Sequence, residues 1–325
     1  MKWLKRILMA LATTFVVASL TFFLVRLMPG SPVQVMYIQL IQKGIPASQA
    51  MNQVRQILNV IPNQPLWQQY ILWLGQIIHG NMGQSIQQTG VPVTELIFNA
   101  LPWTLITVAI GLLISFFIGV VFGVLSASWR NKWTSSVIDN IGSVAHAIPQ
   151  FVTAVALLYI FTVIFHWFPS SGAYSIDVVP GLSGPFILSF LYHMVLPVFT
   201  YVLTGFGSWT LLMKSSTVTV LKEDFMMAAR LRGLPQDKLM GYLGWNSILP
   251  LFTSFMLSLG AMFGGSIFIE GTYAFPGIGN LLATAINTRD YPVMQGCFIL
   301  TTATIIVANL LADFAYSKLD PRITA

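Results

Sequence analysis

Side chains able to break bonds are few in this sequence, and their spacing argues against most catalytic chemistry. His146, His166 and His193 are separated by intervals unlike the His-Glu-x-x-His pattern that sets two imidazoles and a base on one helix face. They are read as packed or interfacial residues. No Gly-x-x-x-x-Gly-Lys-Ser/Thr loop is present to cradle phosphates, and Leu182-Ser183-Gly184 reads as a turn. The only cysteine, Cys297, lies in an apolar segment and reads as a core residue, which leaves neither an intrachain disulfide nor a multi-cysteine metal site. What remains is a polar island, Glu223-Asp224-Phe225-Met226-Met227-Ala228-Ala229-Arg230-Leu231-Arg232-Gly233-Leu234-Pro235, followed by Ile248-Leu249-Pro250. Its chemistry is recognition rather than catalysis.

The island reads as a helix, a glycine and a second helix. Residues 221–232 form the first, with Glu223 and Asp224 in its first turn and Arg230 and Arg232 in its last, where each sign of charge complements the helix dipole. Gly233 stops it, and Pro235 fits the first turn of the next. A helix that enters a cleft on another protein needs small residues on its leading face and one or two apolar contacts. Ala228, Ala229, Phe225 and Met226 supply these, and Arg230 and Arg232 can reach acidic or carbonyl acceptors. Spacing alone leaves a surface hairpin, kept in water by its charges, as the other reading.

The elements that carry this island belong to a membrane. Hydrophobic residues make up 55% of the 325 positions and charged ones 8%, against about 25% charged in a soluble domain. The net charge of +6 is spread over short loops beside apolar segments rather than gathered in one patch for nucleic acid. A bilayer core takes roughly 20 apolar residues per helix. Six windows meet this expectation, at residues 7–25, 101–128, 148–167, 192–213, 247–269 and 292–312. The first has a basic start in Lys2, Lys5 and Arg6, but its apolar core exceeds that of a secretory signal and no small-x-small cleavage site follows. It is read as a retained helix.

Basic loops stay on the cytoplasmic side. With the N-terminus inside, 12 of the 16 lysines and arginines are cytoplasmic, leaving Arg26, Lys43, Arg55 and Arg289 outside. The sequence thus predicts an all-helical, six-span protein with both termini in the cytoplasm. It divides into an N-terminal helix (residues 1–28), an external loop subdomain (29–100), a five-helix core (101–317) with the island in its cytoplasmic loop (221–250), and a short tail (318–325). Within the external loop, Pro46 opens a short helix with Met51, Val54 and Leu58 on one side. Residues 65–78 form another, whose Trp67, Tyr70 and Trp73 suit the membrane interface. This subdomain is either a platform for an external partner or a lid on the helix ends.

Ion-coupled carriers and intramembrane enzymes usually place ionisable residues inside the membrane. Here Asp139, Glu270 and Asp313 fall near expected helix ends and are read as interfacial. Thr107, Ser258 and Asn309 are candidates for a polar route. Gly111, Gly119, Gly123, Gly260, Gly264 and Gly265 are read as sites of close helix contact.

Asp224, Ala228-Ala229, Gly233 and Ile248-Leu249-Pro250 resemble the EAA motif of ABC importer permeases. The likeness covers essentially the whole chain. Leu20-Thr21-Phe22 with Arg26-Leu27-Met28-Pro29-Gly30-Ser31-Pro32, Gln64-Pro65-Leu66-Trp67, Gly80-Asn81-Met82-Gly83-Gln84-Ser85 and Leu101-Pro102-Trp103-Thr104-Leu105 are similar to segments of the B-type permease subunit of dipeptide and oligopeptide importers. So are Phe275-Pro276-Gly277-Ile278-Gly279, Arg289-Asp290-Tyr291-Pro292 and Asp320-Pro321-Arg322. Two departures stand out: Asp224 replaces the usual glutamate, with Glu223 beside it, and Lys238 is alone in a stretch that is normally more basic.

The resemblance implies a type I importer permease in a prokaryotic inner or plasma membrane, forming half of a pathway with a second, homologous permease. Two ATP-binding subunits and an external substrate-binding protein complete the system. ATP and Mg are then bound by the partner subunits, and this chain carries no catalytic, cofactor or metal residue. Asp224, Phe225, Ala228, Ala229, Arg230, Gly233 and Leu234 are the residues it implies for coupling to the ATPases. Peptides are the implied substrate. An oligosaccharide, a metal chelate or glutathione in the same importer class is the alternative, with an ion-coupled carrier behind it.

Overall fold

Long apolar runs punctuated by proline and glycine become helices in the computed structural model, which describes residues 2–27, 32–58, 65–88, 90–262 and 266–319. Among these residues there is no strand, only an isolated bridge between Gln84 and Pro92. The helices are α1 (Lys2–Leu27), α2 (Pro32–Gln42), α3 (Ala47–Leu58), α4 (Leu66–Ile78), α5 (Val93–Ser128), α6 (Trp133–Ala147) and α7 (Gln150–Leu158), which runs on into a π-helical turn (Tyr159–Ile164). They continue with α8 (Gly184–Val220), α9 (Asp224–Leu231), α10 (Gln236–Ser247), α11 (Leu249–Ala261), α12 (Ile267–Thr272), α13 (Ile278–Thr288) and α14 (Tyr291–Leu319).

Among the described residues, α5, α8 and Tyr291–Leu311 are long and apolar enough to cross a membrane. Trp133–Ala147 with Gln150–Ile164 makes a fourth if the pair, bent by 94°, is one crossing. The bend has a local cause. Pro149 pushes Ile148 out of the helical region, to ψ 124°, and then starts α7 from its own extended conformation. The first expected span is represented by a shorter apolar stretch, Leu11–Leu24. The fifth is divided between α11 and α12, with residues 263–265 outside the described set. Both α5 and α8 outrun their expected windows, reaching back to Val93 and Gly184, and each runs unbroken through a proline inside its window, Pro102 and Pro197.

The chain divides into two compact units. In one, Met36 and Leu40 of α2, Ala50 and Val54 of α3, and Val93 and Ile97 of α5 share a core with Ile278, Leu282, Tyr291 and Met294. The expected helix after Pro46 is there, with Ala50 and Val54 as its buried face. Helix α4 is also there; its Tyr70 donates to or accepts from Ser19 Oγ at 2.6 Å, and Tyr70 meets Phe22 edge-on at 5.4 Å while Trp73 meets it tilted at 5.1 Å. Trp67 and Ile71 on α4 remain exposed. Gly279 approaches the Ser266 backbone so closely that a Cβ would lie 2.5 Å from its carbonyl.

A buried carboxylate ties this unit together. Asp290 is 2% exposed. Its Oδ2 accepts from Ser85 Oγ at 2.5 Å, the Ile86 amide at 3.0 Å and the Gln87 amide at 3.1 Å. Its Oδ1 faces the Val293 amide at 3.4 Å in the first turn of α14. The Gly80–Ser85 and Arg289–Pro292 motifs, remote in sequence, are therefore two halves of one clamp.

The other unit is organised on α8. Helices α5 and α8 meet along four-residue steps. A Cβ at Gly111 would lie 2.5 Å from Tyr201 Cβ, and one at Gly123 would lie 2.5 Å from Met213 Cβ. Between these, Ser115 faces Gly205 and Gly119 faces Trp209. Contacts that advance together along both helices make α5 and α8 parallel. Gly142 and Gly207 bring α6 and α8 into backbone contact. Gly264 and Gly265 lie outside the described residues.

Candidate functional site

The polar island begins where α8 stops. Leu221, Lys222 and Glu223 form a turn, so α9 starts at Asp224 rather than at Leu221, and Glu223 occupies the N-cap position. The helix is only eight residues long. Its end is set by Gly233, whose φ of 69° lies in the left-handed region and lets the Leu234 amide reach back to the Ala229 carbonyl at 3.3 Å. Nothing lies within 4 Å of a Cβ built on Gly233, so glycine is required here by backbone conformation and not by space. Pro235 precedes α10 as its N-cap residue.

One expected contact residue faces the other way. Met226 is 1% exposed, turned inward beside a polar cleft of about 400 Å³ that also involves Leu239, Met240 and Leu243. The outward apolar face is instead Phe225, Met227 and Leu231, at 44%, 64% and 83% exposure, with Ala228 exposed between them. Ala229 and Leu234 are half-buried. Asp224, Arg230 and Arg232 are exposed, and Arg230 lines the cleft with Arg130 and Asn131. Trp245 on α10 adds another exposed ring, at 81%. The elbow therefore combines an anchored inner face with a bare apolar outer face flanked by charge, the arrangement of a docking surface.

Its anchorage runs into the helices. Ser128 Oγ at the end of α5, which donates to the Val124 carbonyl at 2.7 Å, lies 3.1 Å from Met240 Sδ, and Ser216 Oγ of α8 donates to the Ser247 carbonyl of α10 at 2.7 Å. Asp139 of α6 forms an ion pair with Lys214 of α8 and accepts from Ser126 Oγ of α5 at 2.7 Å; Ser135 joins them, 2.9 Å from Ser126. The sequence places Asp139 at an interface and Lys214 only among the cytoplasmic basic residues. Their union has no signal in spacing, since they meet from different helices.

The remaining candidates disperse. Ser258 lines a polar cavity described below, Thr107 is buried, and Asn309 is exposed. Glu270 is 1% exposed, its side chain covered by protein. The side chains of Leu249, Pro250 and Asp313, and all of Pro29, Gly30, Gln64 and Asp320 to Arg322, lie outside the described residues. Among those described, no group of three histidine, cysteine, aspartate or glutamate side chains is placed to hold a metal.

Comparison with known proteins agrees with this architecture. The family of binding-protein-dependent transport system inner membrane components matches residues 119–325. A Brucella ovis chain named as a peptide permease is 34% identical over 98% of both chains. The oligopeptide transport system permease protein AppB of Bacillus subtilis is 30% identical, again over 98% of both. The nickel import system permease protein NikB of Staphylococcus aureus is 31% identical, over 98% of this chain and 90% of that one. With an all-helical fold carrying several membrane-length helices, the chain belongs to the family of inner membrane components of binding-protein-dependent transport systems.

Proposed function

We propose that this chain is a permease subunit of a peptide importer, coupled to ATP-hydrolysing partners through the elbow at residues 221–250. The observation that carries the reading is the bare apolar face of Phe225, Met227, Ala228 and Leu231, flanked by the exposed Asp224, Arg230 and Arg232. Two relatives whose names specify peptides or oligopeptides support the substrate. The nickel relative favours a second reading, the same machine carrying a metal chelate.

In this reading the chain crosses the membrane six times with both termini in the cytoplasm. The parallel course of α5 and α8 supports it: two consecutive long spans running the same way require the bent α6–α7 segment to cross back between them. A second, homologous permease completes the pathway, an external binding protein delivers the solute, and two ATPase subunits dock on the cytoplasmic elbows. ATP and Mg reside in those subunits. Closure of the ATPases moves the elbow, and its anchorage through Ser128, Ser216 and Ser247 passes the movement to α5 and α8 as rigid bodies.

Purification of the tagged chain in mild detergent tests this, with mass-spectrometric identification of what accompanies it and an ATPase assay. A second permease and ATP-hydrolysing subunits are expected; recovery of the chain alone, under conditions that preserve other complexes, points to a self-sufficient carrier.

A further inference from the structure

Halfway along α5 and α8 lies a cavity of about 300 Å³, at the lower end of the range for small-molecule sites. Its polar lining comes from five helices: Ser115 of α5, His146 of α6, Gln150 of α7, Tyr201, Thr204, Ser208 and Trp209 of α8, and Ser258 of α11. Ser115 lies at the middle of the apolar window 101–128 of α5, about 20 Å from the helix end at a rise of 1.5 Å per residue. No aspartate, glutamate, lysine or arginine lines it.

Two features distinguish it from a packing defect. The break at Ile148 and Pro149 adjoins it, and irregular backbone at membrane depth is tolerated only where protein or water covers it. In addition, its hydroxyls are oriented by the helices themselves. Ser115 donates to the Leu112 carbonyl at 2.9 Å, Thr204 to that of Thr200 at 2.9 Å, Ser208 to that of Gly205 at 2.8 Å, and Ser258 to that of Ser254 at 2.9 Å. A hydroxyl whose hydrogen is spent on its own helix offers only oxygen lone pairs to a solute.

The geometry assigns this cavity as the chain's contact site for the transported solute, an uncharged patch whose four helix-bonded hydroxyls receive the N–H groups of a peptide in transit. A lone imidazole among hydroxyls gives no site for a bare metal ion. The inference rests on the importer reading above, and refines it by naming the residues and the solute group they meet.

The test uses the co-purified importer, with its binding protein, in proteoliposomes charged with ATP and Mg, and a pool of tri- to pentapeptides whose uptake is read by mass spectrometry. Thr204→Val, which removes the acceptor at nearly constant shape, should raise the half-saturating peptide concentration several-fold, while Thr204→Ser should behave as the parent. Ser208→Cys should react with a charged methanethiosulfonate reagent, and the peptide pool should slow that reaction whereas maltose should not. The parent, with Cys297 fully buried, supplies the unreactive baseline. Unchanged peptide uptake in Thr204→Val, or a Ser208→Cys that is unreactive or equally protected by maltose, overturns this assignment and leaves the importer reading standing. A preparation without ATP-driven peptide uptake overturns both.

Discussion

Gly233 and Asp290 show how much a single residue can decide. At Gly233 the left-handed backbone costs an ordinary L-residue about 1–2 kcal/mol, and more for a branched one, while no neighbour obstructs its side chain. Gly233→Val should therefore leave the chain inserted and associated but reset the angle between α9 and α10. We expect ATP hydrolysis to persist while peptide uptake falls at least tenfold; full uptake in the variant would show that the elbow is not a lever. Asp290 is a different case, a buried carboxylate with four nearby amide or hydroxyl donors. Hydrogen bonds to a charged group are worth about 1.5–3 kcal/mol each, and stranded donors add to the loss. Asp290→Ala should release residues 85–87 from the start of α14, read as faster proteolysis of the segment before α5 and a lower unfolding midpoint in detergent. Protection equal to that of the parent would show the clamp to be dispensable.

At the scale of elements, the packing of α5 on α8 depends on small residues at four-residue intervals. Where α5 offers Gly119, α8 offers the large Trp209, and bulk on one helix is matched by its absence on the other. In a bilayer, where lipid tails are as apolar as the helices, such close approach is the main source of helix association. Gly119→Leu should separate the pair and cost about 1–3 kcal/mol by overpacking alone. The measurement is the yield of monodisperse protein after detergent extraction; a yield matching that of the parent would mean that α5 and α8 tolerate a looser contact. The elbow is read at the same scale. Leu231→Asp places a carboxylate on the exposed face of α9 without touching the buried Met226, and should strip ATPase subunits from the purified assembly while the second permease remains. Retention of the ATPases would place their docking surface elsewhere.

For the whole molecule, the charge distribution and the direction of the helices make one joint prediction. Ser48→Cys, in the first turn of α3, and Lys132→Cys, between α5 and α6, should differ in labelling by a membrane-impermeant maleimide if the proposed six-span topology holds. In intact cells or right-side-out vesicles Ser48→Cys should react and Lys132→Cys only after permeabilisation. Equal labelling of the two from outside would invalidate the six-span arrangement.

Much of this protein is legible in its sequence because a bilayer imposes simple rules. Scarcity of charge, apolar windows, and basic loops define a helical membrane protein, since unpaired backbone groups in hydrocarbon leave the helix as the one open solution for segments of this kind. The elbow is legible too: acid, small residues, base, glycine and proline each carry a local conformational meaning. Helix α2, the extensions of α5 and α8, and the division of the fifth apolar window were not legible, because tertiary contacts decide them and hydropathy does not weigh such contacts. The same holds for the inward turn of Met226, a matter of which neighbour covers a short amphipathic helix. Only the tertiary structure could join Ser85 to Asp290 across 205 residues, pair Asp139 with Lys214, or gather hydroxyls from separate helices around one cavity. Periodicity constrains which side of one helix is apolar; it carries no information about which distant residue stands opposite, and that pairing is where clamp, anchorage and cavity arise.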